Sequence, residues 1–165
     1  MTIRLAREAD FLAIWPIVRD VIRAGDTYAI EPGLTREAVR SLWMDAPRAT
    51  YVAERDGEIL GTYYLKTNQA GGGAHVCNAG YMVAEAARGQ GIARAMCEHS
   101  QDEARELGYL AMQFNFVVET NQGAIALWER LGFETVGRLP RAFRHPQVGL
   151  VDARVMFKWL GDEAA

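Results

Sequence analysis

Only two cysteines, Cys77 and Cys97, occur in 165 residues, and no paired Cys/His spacing accompanies them. That excludes a disulfide framework and leaves no pattern for a structural zinc site, so no metal is expected. Long apolar runs are also missing; none approaches the roughly 20 residues that a membrane span needs. The opening residues Met1-Thr2-Ile3-Arg4-Leu5 lack the basic-then-apolar build of a signal peptide, and the expectation is a cytoplasmic protein. Positive charge is not in excess either. The formal net charge is −3, so nucleic acid is not an expected partner. The one local basic stretch, Arg138, Arg141, Arg144 and His145, reads as a solvated loop, with a phosphate-binding patch as its alternative. Internal repeats, low-complexity segments and linkers are absent. A chain of this length buries one core and is short for two, which predicts a single domain over residues 1–165.

What remains is a clear succession of elements. Thr2–Leu5 reads as a short strand. Asp10 can cap a helix carrying Phe11, Ile14, Trp15, Val18 and Ile22 at helical spacing, with Pro16 inside it and Gly25 closing it. Gly25–Gly33 is an irregular loop, and Thr35 caps a second helix reaching about Asp45. Asp56-Gly57 between Tyr51–Arg55 and Glu58–Lys66 is a strong hairpin signal. Gly71-Gly72-Gly73 reads as a turn before a strand over Ala74–Val83. A long amphipathic helix, about Gln90–Leu107, puts Ile92, Ala93, Met96, Cys97, Ser100, Ala104 and Leu107 on one face, and Gly108 ends it. Leu110–Val118 is a strand, Asn121–Leu131 a helix, and Phe133–Leu139 and Val151–Trp159 are the last strands. The order β-α-α-β-β-β-α-β-α-β-β predicts an α/β fold with a mixed central sheet and helices on both faces.

The chemistry concentrates where a strand passes through a glycine turn into a helix, Met82-Val83-Ala84-Glu85-Ala86-Ala87-Arg88-Gly89-Gln90-Gly91-Ile92-Ala93. Glycines let the backbone approach a ligand closely, and the free amides of a helix's first turn favour an anion. A diphosphate suits such a turn. The common nucleotide motifs do not apply. Gly-x-x-x-x-Gly-Lys-Ser/Thr appears nowhere, and Arg94 stands where Gly-x-Gly-x-x-Gly needs its last glycine.

Arg88-Gly89-Gln90-Gly91-Ile92-Ala93 resembles the Arg/Gln-x-x-Gly-x-Gly/Ala signature of the GNAT N-acetyltransferases. A second stretch, Asn121-Gln-Gly-Ala124-Ile-Ala-Leu-Trp128-Glu-Arg-Leu-Gly132-Phe133, resembles that family's Asn-x-x-Ala-x-x-x-Tyr-x-x-x-Gly-Phe helix. The resemblance spans about Ile3 to Leu160. It implies a mostly antiparallel sheet of about seven strands, acetyl-CoA as co-substrate, and no metal. It also implies cofactor contacts from Met82, Val83, Arg88, Gly89, Gln90, Gly91, Ile92, Ala93, Asn121, Ala124 and Trp128. A backbone bulge is expected near Met82–Val83, its amides polarising the thioester carbonyl. The family often has tyrosine, a candidate acid for the leaving thiolate, where this chain has Trp128. An indole N–H donates a hydrogen bond but is no usable acid.

His75–Val83 together with Gln113–Asn121 is similar to a narrower branch that acetylates azetidine-2-carboxylate and related imino acids. By that resemblance Asn78 and Asn115 serve catalysis or substrate handling, and Asn121 the cofactor; satisfying strand ends or buried backbone is the alternative for Asn78 and Asn115. Tyr28, in the loop that usually walls the acceptor site, is a candidate substrate contact, with ordinary loop packing as its alternative. Glu85, Glu119 and His145 are candidate bases, each with a plain solvated-charge alternative. Cys77 would need a neighbouring base to act as a nucleophile. The acceptor implied is a small-molecule amine. A peptide acceptor and a non-catalytic CoA-binding module stay open, and family precedent favours a homodimer.

Overall fold

The computed structural model describes residues 1–161. Its strands are β1 (Thr2–Leu5), β2 (Ala49–Arg55), β3 (Glu58–Thr67), β4 (Val76–Val83), β5 (Ala111–Val118), β6 (Glu134–His145) and β7 (Gly149–Trp159). The helices are α1 (Phe11–Ala24), α2 (Arg36–Arg40), α3 (Ile92–Glu106) and α4 (Gln122–Arg130). One seven-stranded sheet runs in the order β1-β2-β3-β4-β5-β7-β6. All neighbours are antiparallel except β4 and β5.

Local chemistry explains most boundaries. Asp56 and Gly57 both have positive φ, 53° and 81°, as the tight β2–β3 turn requires. The Thr35 hydroxyl accepts the Ala38 amide at 3.2 Å and starts α2, whose last turn widens into a π-turn over Ser41–Asp45. Asp10 is a correction. Its carboxylate accepts the Arg7 amide at 2.6 Å and pairs with Arg4, so it closes the short 3-10 turn before α1 rather than capping α1. Pro16 lies inside α1, which continues to Ala24.

Two apolar layers flank the sheet. On one face Phe11, Ile14, Val18 and Ile22 of α1 meet Val39, Trp43, Val52 and Met82. On the other, α3 and α4 cover Tyr51, Tyr63, Tyr81, Met112 and Phe114. Tyr51, Tyr63 and Tyr81 are register partners on adjacent strands, and each hydroxyl reaches α3: Glu103 at 2.7 Å, His99 at 2.7 Å and Ser100 at 2.6 Å. Gly61 brings the same helix close, since a Cβ there would lie 3.1 Å from both Ile92 Cγ2 and the Met82 carbonyl. These contacts set the N-terminus of α3 just beyond the end of β4.

The final hairpin differs from expectation. Arg138, Arg141, Arg144 and His145 lie within strand β6, not in a loop. Before Ala153, β7 pairs with β6 and not with β5, giving a two-stranded arm. Both faces of the arm are largely exposed, so no apolar alternation marks it in the sequence. Pro140 and the positive φ of Arg141, whose amide binds Asp152 at 2.8 Å, interrupt the register further.

Candidate active site

β4 and β5 are joined only at Val76↔Ala111 and Cys77↔Met112. Beyond Cys77 the outer edge of β4 faces no strand, and the sheet opens in a V. The β3–β4 ladder meanwhile stays in register through Gly61↔Val83. The bulge expected near Met82–Val83 is therefore not formed. It is not needed to free backbone groups of β4, because the loss of β5 already does so.

Two side chains occupy this opening. Asn78, 7 % exposed, donates from Nδ2 to the Gln113 carbonyl at 3.0 Å and receives the Tyr64 hydroxyl at 3.3 Å. The Tyr28 hydroxyl donates to the Tyr81 carbonyl at 2.7 Å and accepts the Tyr81 amide at 2.9 Å. Burial raises the Tyr28 phenol well above its ordinary value, so it stays protonated.

An anion-binding turn lies at the open end of β4. Arg88 is extended and exposed, and Gly89 and Gly91 have φ of 74° and 78°. No atom lies within 4 Å of where a Cβ would stand on either glycine. The first α3 bond runs from the Ala95 amide to the Gly91 carbonyl at 3.0 Å, which leaves the amides of Ile92, Ala93 and Arg94 without intrahelical acceptors. Gln90 ties the turn down, donating to the Ala86 carbonyl at 3.1 Å and accepting Arg55 at 2.9 Å. Ile92 is buried and anchors the helix, while Ala93 is half-buried.

The remaining residues singled out by sequence divide between the two faces. Asn121 caps α4, its Oδ1 accepting the Ala124 amide at 3.3 Å. Trp128 is buried against Tyr81 and Phe114, with ring centroids 5.1 and 5.2 Å away. Its indole N–H makes no hydrogen bond within the described residues, yet no buried side-chain nitrogen there is left unsatisfied, so it retains access to solvent. Val83 is half-buried at the end of β4, and Met82 packs toward α1. Asn115 is exposed, donating to Asn68 Oδ1 at 2.7 Å and accepting Gln113 Nε2 at 2.9 Å.

Among the groups considered as bases, Glu119 is held by Arg154 through two bonds of 2.7 Å, which keep its carboxyl below the ordinary range. His145 lies on the projecting arm and accepts the Gln147 amide. Glu85 is exposed in a 3-10 turn. Cys77 is fully buried, which pushes its thiol up to about 12, and no side-chain hydrogen bond joins it to a base among the described residues. Sequence reasoning missed Tyr64, Lys66, Asn68 and Gln113. The period-2 alternation of β3 puts the first two on one face, but nothing local ties that face to β5.

The acetyltransferase (GNAT) family model matches residues 15–133, from α1 through the α4 helix to Phe133, and the chain belongs to that family. Among individual proteins, N-acetyltransferase aca1 of Schizosaccharomyces pombe is 32 % identical over 151 residues, covering 81 % of this chain and 72 % of the relative. A GCN5-related N-acetyltransferase structure from Kribbella flavida shares 46 % identity with a TM-score of 0.91, covering 96 % of both chains. A ribosomal-protein-alanine N-acetyltransferase from Brucella melitensis, 28 % identical, has a TM-score of 0.85 over 96 % of this chain and 99 % of its own.

Proposed function

We propose that the chain transfers the acetyl group of acetyl-CoA to the amine of a small molecule, an amino or cyclic imino acid, by direct attack in a ternary complex. The observation that carries this is the continuity of two features. The anion-binding turn Arg88–Ala93 opens at the end of β4, whose outer edge carries no strand beyond Cys77 and is capped by Tyr28 at Tyr81. The pyrophosphate fits the first: two left-handed glycines with open space beside them, three outward amides and the exposed Arg88. The pantetheine arm fits the second, reaching backbone groups at Val83, with Asn121, Ala124 and Trp128 on the α4 side.

The acceptor enters from the face that carries Tyr28, Asn78 and Asn115. Its nitrogen bonds to the thioester carbon, and the carbon–sulfur bond then breaks to release CoA thiolate. Fixing the two reactants side by side supplies roughly 7–11 kcal/mol of the barrier. Glu119 is committed to Arg154, so the amine proton leaves through water. A thiol of pKa about 8.5 departs as thiolate without an acid at position 128. Asn78 positions β5 through Gln113, and Asn115 presents an ordered amide at the mouth.

A peptide acceptor is the second reading, favoured by the 28 % identity to the Brucella enzyme that is named for a ribosomal-protein alanine. Free-thiol release from acetyl-CoA decides between them, across amino acids, cyclic imino acids, polyamines and short peptides. Turnover with azetidine-2-carboxylate or a proline analogue, reduced in Asn115→Ala, supports the first reading. Turnover confined to peptides selects the second, and tight acetyl-CoA binding without any turnover would sink both.

A further inference from the structure

The acceptor face holds a cation that the foregoing account leaves unused. Lys66 pairs in register with Asn78, and Tyr64 with Gly80, so all four point to the same side of the sheet. The Lys66 ammonium lies 5.7 Å from the centroid of the Tyr64 ring. The hydroxyl end of that ring lies over Gly80, where a Cβ would come within 2.8 Å of it. The ammonium thus stands beside the ring, on the part of this face that Asn78 and Gly80 share. Lys66 makes no ion pair among the described residues. Two residues on, Asn68 accepts Asn115 through its Oδ1, and its amide donor makes no hydrogen bond among the described residues.

The neighbours on this face are amides and a phenol: Tyr64, Asn78, Gln113, Asn115 and Asn68 are linked across β3, β4 and β5. None carries charge. An ammonium without a counter-ion among the described residues, set among neutral amides and two residues from a second unused donor, is suited to a carboxylate.

We propose that Lys66 binds the carboxylate of the acceptor, and that the enzyme therefore selects amines carrying a carboxylate close to the nitrogen. The inference rests on the small-molecule reading above and names the residue that selects its substrate. Spacing sets the distance. Strand residues advance by about 3.3 Å, so an ammonium beside the ring opposite Gly80 is one to three residues, roughly 3 to 10 Å along the strand, from the Tyr81–Val83 edge where the thioester would lie. An α-amino or α-imino acid spans that gap, whereas a carboxylate several carbons removed overshoots it.

The test compares matched acceptors, proline with pyrrolidine and azetidine-2-carboxylate with azetidine, in wild type, Lys66→Gln and Lys66→Arg. Thermal melting checks the fold of each. Binding of N-acetylproline to the CoA-loaded protein, by calorimetry, gives a readout that needs no turnover. The expected result is a KM for the carboxylate acceptors raised about 10- to 100-fold in Lys66→Gln, the loss typical of one charge-assisted hydrogen bond. Lys66→Arg should restore part of it, and the carboxylate-free amines should be unaffected. N-acetylproline should weaken in parallel. Equal effects on both members of each pair, or N-acetylproline binding unchanged by Lys66→Gln, would overturn the proposal. The small-molecule function itself fails separately, by absence of thiol release with every small amine.

Discussion

The hydroxyl of Tyr28 takes the place of a strand for Tyr81, accepting its amide at 2.9 Å and donating to its carbonyl at 2.7 Å. Elsewhere in a sheet those two groups would pair with a neighbouring chain. Here β5 has diverged, and a loop residue 53 positions earlier satisfies both. Tyr28→Phe keeps the ring and removes the bonds. It should lower stability by about 1–3 kcal/mol, the range for stranding buried polar groups. Differential scanning calorimetry should record a melting point several degrees lower, and an unchanged one would show that water replaces the hydroxyl without loss.

Arg88 and Gly91 separate binding from strain. Arg88 is exposed and makes no ion pair among the described residues, so Arg88→Ala should leave the melting point unchanged. The Kd for acetyl-CoA should rise about 10- to 100-fold, as loss of a charge-assisted contact does. Gly91 has a left-handed φ of 78°. Alanine there costs about 1–2 kcal/mol in backbone strain, so Gly91→Ala should reduce melting point and acetyl-CoA affinity together. Calorimetric titration of both variants distinguishes the two patterns.

Trp128 tests whether a proton donor is required at that position. Trp128→Phe retains an aromatic ring against Tyr81 and Phe114 but removes the indole N–H. Because that N–H is not a usable acid, kcat should change by less than about tenfold, while the smaller ring costs stability on the order of 1–2 kcal/mol. A kcat loss of about a thousandfold, with KM for acetyl-CoA unchanged, would make the N–H part of the transition-state machinery.

Acid should loosen the fold through two paired carboxylates. Hydrogen bonds from Arg154 hold Glu119, and hydrogen bonds from Arg4 hold Asp10, below their ordinary ranges. A carboxyl depressed in the folded state stabilises it fully above the unfolded pKa, about 4 for these groups. That contribution disappears as the pH falls through the folded value. Urea midpoints should be flat from neutral pH to about 5 and decline below about 4. Glu119→Gln and Asp10→Asn should each start lower at neutral pH and decline less steeply.

Much of this architecture was legible in the chain. The Asp56-Gly57 turn, the Thr35 cap and the amphipathic α3 helix follow from local rules, and each formed where those rules put it, within a residue or two. The sheet with helices on both faces followed from the order of elements. The β6 arm did not, because a strand exposed on both faces and broken at Arg141 carries no alternation to detect.

The site divides in the same way. The anion-binding turn was determined by the sequence itself, since Gly89, Gly91 and the start of α3 lie within a few consecutive residues and need only local backbone conformation. Whether Asn78 would meet Gln113, Tyr28 would reach Tyr81, or Lys66 would share a face with Asn78 depended on strand register and on where β5 leaves β4. Only the tertiary structure decided those, because register is a long-range packing outcome and a one-residue slip would turn every one of these side chains to the opposite face.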